Sequence, residues 1–227
     1  MYELTIANKN YSSWSLRPWA LLRELKIPFM ERLLVFGDAP AWEQFRQRNP
    51  SGKVPCLVDG ARIVWESLAI AEYLAERHAG VWPEQADARA WARCAAAEMH
   101  AGFGELRSRC SMSCGIRVRL YEFPPALEHD VARIGALWNE GLARFGGPFL
   151  AGPKFTAVDA FFAPVAFRVQ SYGLRLEREA AAYSDRLLAS ESLRAWYVDA
   201  LKEKFRDAPH ETETLQMGQL VADYRER

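Results

Sequence analysis

The chain has little cysteine, little histidine and no surplus of charge. Four cysteines, Cys56, Cys94, Cys110 and Cys114, in 227 residues are too few and too scattered for the disulfide framework that staples small secreted domains. They read as small apolar packing residues kept as thiols, with Cys110 and Cys114 spaced to share a face if their segment is helical. No Cys-x-x-Cys and no pair of histidines lies nearby, so no metal site is expected. Lys and Arg together number 29, as do Asp and Glu. No net field therefore exists to hold nucleic acid or an anionic membrane. No window reaches the roughly 18 to 20 apolar residues that span a bilayer. The opening, Met1 to Ser13, lacks the basic start and apolar run of a signal peptide. Repeats and low-complexity blocks are missing too. These absences predict a soluble, cytoplasmic protein with neither nucleic acid nor membrane as partner.

What is present is an ordinary globular composition, 50% hydrophobic and 26% charged, with length for one large domain or two modest ones. Tyr2 to Ala7 alternates and is β-prone. Leu16, Trp19, Ala20, Leu22 and Leu25 follow at helical spacing, with Pro18 in the first turn. Glu31 to Phe36 predicts a second strand. A β-loop-α-β opening forces a parallel strand pair joined by a crossover helix. A short helix at Trp42–Arg46 follows. Val54–Val58 and Arg62–Trp65, separated by Asp59-Gly60, then read as a hairpin. Helical spacing resumes at Glu66, whose polar start suits a helix N-terminus. This order predicts a thioredoxin-like α/β domain, βαβαββα, over 1–79. A Gly-Pro-containing linker spans 80–86. An all-helical domain over 87–227 follows, with helices at Ala88–Arg109, Pro125–Phe145, Thr156–Tyr172 and Glu191–Phe205 and no strand after Trp65. The polar stretch His210–Arg227 is compatible with a helix or a loose tail.

Three motifs carry a family resemblance that spans nearly the whole chain. Ser12-Ser13-Trp14-Ser15-Leu16-Arg17, where strand one meets helix one, resembles the serine-type active-site loop of zeta and tau glutathione transferases. Asn49-Pro50-Ser51-Gly52-Lys53-Val54-Pro55 carries that family's Val-Pro, whose proline is normally cis. Glu66-Ser67-Leu68-Ala69-Ile70 matches its Glu-Ser pair. Thr156-Ala157-Val158-Asp159 resembles the capping box of a buried helix in the family's second domain, a structural element rather than a catalytic one. Asn8 to Trp19 and Glu98 to Phe103 are similar to a bacterial subgroup described only as glutathione transferase-like.

The resemblance implies that glutathione is the co-substrate, a small electrophile its partner, and a homodimer the assembly. A cysteine-like thiol titrates near 8.5, so lowering its pKa by two units takes about 2.7 kcal/mol of preferential stabilisation of the anion. A hydroxyl donor at a helix N-terminus is suited to that work. Ser12 is the expected donor and Ser13 the reserve; either can instead cap the helix. Residues 12–15 are Ser-Ser-Trp-Ser, which excludes the dithiol exchange of glutaredoxins in this loop. Val54 and Pro55 are expected to pair with the extended peptide as a sheet edge does. Lys53 can meet the glycyl carboxylate or stay a solvated lysine. Glu66 and Ser67 are expected to hold the γ-glutamyl end at the helix N-terminus. Walls of the second site are sought in Trp14, His100, Phe103, Arg107 and Met112. Arg107 can hold an anionic substrate, which would suit a zeta-type isomerase such as maleylacetoacetate isomerase, but Trp14 stands where the zeta loop has cysteine. A non-catalytic, protein-binding use of the same fold is the alternative from another class.

Overall fold

The computed structural model describes residues 1–226. Strand β1 (Tyr2–Ala7), helix α1 (Ser13–Glu24) and strand β2 (Phe29–Leu34) open the chain. The two strands run parallel, Tyr2 opposite Phe29 through Ala7 opposite Leu34. β2 starts two residues earlier than the alternation suggested, directly after Pro28, because the parallel register with β1 sets its limits. There follow α2 (Ala39–Arg48), β3 (Cys56–Asp59), β4 (Arg62–Trp65) and α3 (Ser67–Ala75). The sheet order is β2-β1-β3-β4, with β3 antiparallel to both neighbours. Gly60, at φ 60°, supplies the left-handed residue of the β3–β4 turn. This is the expected thioredoxin-like arrangement.

Helix α1 is buried from Ser15 to Leu22, between the sheet residues Leu4, Ile6 and Leu57 and the second half of the chain. That half comprises α4 (Ala86–Ala101), α5 (Gly104–Arg109), β5 (Ile116–Leu120), α6 (Pro125–Phe145), α7 (Ala157–Tyr172), α8 (Arg178–Ala189), α9 (Glu191–Lys202), α10 (Ala208–Met217) and β6 (Gly218–Asp223). α7 is buried without interruption from Ala157 to Arg168, so its N-terminal donors need internal partners. The Ala157 amide donates to the Val81 carbonyl at 2.8 Å, and Asp159 accepts from the N-cap Thr156 amide at 2.8 Å and also from the Leu150 amide at 3.0 Å and the Tyr183 hydroxyl at 2.8 Å. Large side chains with almost no exposure, among them Trp138, Trp196, Phe161 and Phe162, each contribute about 1.5–3 kcal/mol by leaving water.

The second half is thus largely helical but not wholly so. β5 and β6 form an antiparallel ribbon, Ile116 opposite Asp223 and Leu120 opposite Gly218, which corrects the expectation of no strand after Trp65. The helix expected over 88–109 is two helices, parted where Phe103 takes a left-handed φ of 59°. Helix α8 had no counterpart in the sequence reading. Cys110 ends α5 and Cys114 lies in the turn before β5, so they do not share a helix face. The polar tail is α10 and β6. No helix among the described residues is long and apolar enough to cross a membrane.

Candidate functional site

Trp14, Ser51, Lys53, Val54, Pro55, Glu66 and His100 line one cleft of about 310 Å³. Each comes from a defined element. Trp14 lies in the first turn of α1, and Glu66 immediately precedes α3. His100 is in the last turn of α4. Lys53, Val54 and Pro55 lead into β3, and the Val54–Pro55 bond is cis. Asn49, almost fully buried, braces that segment: its Nδ2 donates to the Lys53 carbonyl at 2.8 Å, and its Oδ1 accepts from the Ser51 amide at 3.1 Å. Among the described residues no backbone group bonds to the Val54 amide or carbonyl, so both stay available to an extended ligand.

Glu66 holds φ 67° and ψ 128°, a conformation costly for any residue with a Cβ, about 1–3 kcal/mol. Such strain persists where the surroundings impose it, and here the strained Glu66 lines the cleft while α3 begins at Ser67. Behind Ser67 lies Arg17, whose Nη1 donates to the Ser67 Oγ at 3.4 Å. Arg17 is 3% exposed. Burial, reinforced by Arg107 and Arg168, pushes its pKa well below the usual arginine range, and the charge of Glu66 opposes that shift.

The serines are placed differently from one another. Ser12, the residue before α1, is buried, and its hydroxyl donates to the Ser15 Oγ at 2.7 Å. Ser15 in turn accepts from the Ala7 amide at 3.3 Å. Ser13, the first residue of α1, is half-buried, and its hydroxyl makes no hydrogen bond among the described residues. Neither serine lines the cleft that Trp14 bounds. Of the remaining second-site candidates, His100 lines the cleft. Arg107 stands beside it, its guanidinium 5.0 Å from the Trp14 ring. Phe103 and Met112 are buried in the core cluster and do not reach the cleft wall. Burial and the neighbouring Arg17 hold the His100 pKa below the usual histidine value.

Two features of this region escaped the sequence reading. One is Arg17, which a helix-surface spacing disguised. The other is the bracing of the loop before Ser12 by α9 and the residue that ends it. Glu203 accepts from the amides of Lys9 at 2.6 Å and Asn10 at 3.1 Å, and Trp196 Nε1 donates to the Lys9 carbonyl at 2.8 Å. Asn8, Lys9 and Asn10, polar and consecutive, are all buried, a signal visible only once the fold is known.

A thioredoxin-like sheet with a cis-proline edge, a strained residue at the N-terminus of α3 and a helical second half defines a thioredoxin-fold protein with a cleft between its sheet and its helices. The glutathione S-transferase N-terminal domain family matches residues 11–77. The glutathione S-transferase-like protein OpS6 of Beauveria bassiana is 31% identical over 162 residues, covering 65% of this chain and 72% of that protein. The chain belongs to the glutathione S-transferase family. A dichloromethane dehalogenase of Methylorubrum extorquens is 44% identical over 63 residues, 26% of this chain and only 22% of the dehalogenase, so that likeness spans about a fifth of the relative's length. Among solved structures, the theta class glutathione S-transferase of Xanthomonas axonopodis pv. citri, with glutathione bound, superposes with a TM-score of 0.62 at 21% identity, covering 86% of this chain and 96% of that one. At that identity the likeness is one of fold.

Proposed function

We propose that the cleft binds glutathione and that the protein is a glutathione transferase, steadying the thiolate for attack on a small electrophile. The observation that carries the reading is convergence: Lys53, Val54, Pro55 and Glu66, singled out separately along the chain, line a single cleft, with Ser67 and the buried Arg17 behind one end. In this reading the Val54 amide and carbonyl pair with the extended tripeptide. Glu66 accepts the γ-glutamyl ammonium, and Ser67 holds its carboxylate at the start of α3, where the helix dipole favours negative charge. Lys53, exposed and without an ion pair among the described residues, meets the glycyl carboxylate.

The sulfur lies at the first turn of α1. Ser13 offers an uncommitted hydroxyl there, whereas Ser12 must release Ser15 before it can donate. The thiolate forms the carbon–sulfur bond. The electrophile gives up a leaving group or, when it is an activated alkene, takes a proton from solvent. The protein works as a homodimer built on two domains, 1–79 and 87–227. Ile63 and Trp65 on β4, 37% and 39% exposed, are apolar surface available to such a contact.

Calorimetric titration with glutathione, paired with ultraviolet titration of the bound thiol, tests the reading. Binding with a thiol pKa below the free value is expected. Absence of binding, or a bound thiol that titrates like the free one, would falsify it.

A further inference from the structure

The interior behind Trp14 and His100 carries more positive charge than a glutathione site uses. Two buried cations elsewhere are met by carboxylates, and the buried Arg168 donates to the carbonyls of Cys110 and Pro164. Lys9 Nζ lies 2.9 Å from Glu31 and 2.7 Å from Asp199, and Arg225 bridges Glu211 and Asp223. Around Trp14 that pattern fails. The Arg17 guanidinium sits 4.1 Å from the Trp14 ring centre and 4.8 Å from that of Phe161. Apart from Ser67 it has no hydrogen-bond partner among the described residues, and its Nε is buried without one.

Arg107 approaches the same indole. Its Nη2 donates to the carbonyls of Met99 and His100 at the end of α4, which fixes the guanidinium plane. Its Nε and Nη1 make no hydrogen bond among the described residues. No carboxylate there lies within 4.0 Å of either guanidinium. The buried Nδ1 of His100, on the cleft wall, also lacks a partner.

Cation–π contacts offset part of the cost of this arrangement, but two guanidinium groups on one indole repel, and the buried charge of Arg17 without a counter-ion is costly; Arg107 is half-buried. The γ-glutamyl carboxylate, held at Ser67, answers Arg17. It leaves Arg107 with only the charge of Asp130, beyond ion-pair distance, to favour it, and with a planar fork suited to a second carboxylate.

We propose that Arg107, with Trp14 and His100, forms an anion subsite for the second substrate, so that the preferred electrophile carries a carboxylate remote from the carbon that sulfur attacks. This rests on the glutathione reading above.

Three ligands of nearly one shape separate the possibilities: S-benzylglutathione, S-(4-carboxybenzyl)glutathione and the methyl ester of the latter. Calorimetry on the wild-type protein is expected to give the free acid about tenfold tighter binding than either neutral ligand, as a charge-assisted pair supplies. Added salt should narrow that ratio. In Arg107→Gln the ratio falls toward one, and Arg107→Lys restores part of it. Equal binding of acid and ester by the wild-type protein overturns the subsite even if no variant folds, and so does an Arg107→Gln protein that keeps the full preference. Failure of all three ligands and of glutathione itself has a different signature: it removes the glutathione reading and the subsite with it.

Discussion

Arg225 clasps Glu211 with two nitrogens, Nη1 at 2.5 Å from one carboxylate oxygen and Nη2 at 3.0 Å from the other. The same Nη1 lies 3.2 Å from the hydroxyl of Tyr11, the residue before Ser12. Asp223 completes the cluster at 2.8 Å from Nη2. The last strand is thereby tied, through one guanidinium, to the loop that leads into α1. Truncating Arg225 to Ala leaves two carboxylates facing each other. The expected loss is about 2–3 kcal/mol, less than for a fully buried pair because Glu211 and Asp223 keep contact with water. Thermal unfolding measures it, and hydrogen exchange should show the amides of β5 and β6 opening first. An Arg225→Ala protein with unchanged exchange in that ribbon would mean that the clasp is incidental.

Backbone strain at Glu66 separates stability from binding. Glycine has no Cβ to oppose φ 67°, so Glu66→Gly relieves strain while adding about 0.5–1 kcal/mol of unfolded-chain entropy. Glu66→Gln keeps the strain and loses only the charge. The expected result is a Glu66→Gly protein at least as stable as wild type by denaturant titration, whereas both variants bind glutathione at least tenfold more weakly, about the worth of one charged hydrogen bond. Undiminished glutathione affinity in both would remove Glu66 from the site.

How much of this was legible beforehand follows the range of the interactions. The β3–β4 hairpin, the βαβ opening and helices α6 and α7 announce themselves through local spacing and turn residues, and they emerged within a few residues of expectation. The Ile116-Arg117-Val118-Arg119-Leu120 alternation was a legible strand pattern, but its partner begins about a hundred residues later at Gly218, where Gly218 to Asp223 shows no comparable alternation. Helix α8 buries Ala180, Tyr183, Ser184 and Leu187, a regular helical stripe concealed by the polar residues around it. Cleft residues Glu66 and Val54 were legible because their motifs are short and contiguous. Arg17 was not, since nothing in a sequence tells a solvated arginine from one whose carboxylate partner is missing. The bracing of Lys9 and Asn10 by Glu203 likewise depends on how two distant segments dock.

Asp159 makes a pH prediction with a definite sign. Burial pushes its pKa up to about 6 from 3.8, against the hydrogen bonds from Leu150, Thr156 and Tyr183, which favour the ionised form. A carboxyl raised on folding holds its proton longer in the native state than in the unfolded chain. Its contribution is therefore fully present below the unfolded pKa near 4 and shrinks by about 3 kcal/mol as pH rises through 6. Asp159→Asn has no such titration. It starts lower, because an amide nitrogen replaces the oxygen that accepts from the Thr156 amide, a loss of about 2 kcal/mol or more. Denaturant titrations from pH 4 to 6.5 should show the gap between wild type and variant narrowing as pH rises. A gap that widens with pH would mean that the hydrogen bonds, not burial, set the protonation of Asp159.

The two serines can be told apart by the same thiol titration. The Ser13 hydroxyl is uncommitted among the described residues, whereas the Ser12 hydroxyl already donates to Ser15 Oγ. Ser13→Ala should therefore raise the pKa of bound glutathione toward the free value and slow conjugation by about 10- to 100-fold, the worth of a hydrogen bond to an anion. Ser12→Ala leaves Ser15 able to accept from Ala7 but without the Ser12 proton, so its effect is expected on stability, about 1 kcal/mol, more than on the thiol. The opposite result, with Ser12→Ala raising the thiol pKa and Ser13→Ala silent, would show that Ser12 turns away from Ser15 when glutathione binds. If both variants keep the wild-type thiol pKa, the backbone amides of the first turn of α1 carry the thiolate alone.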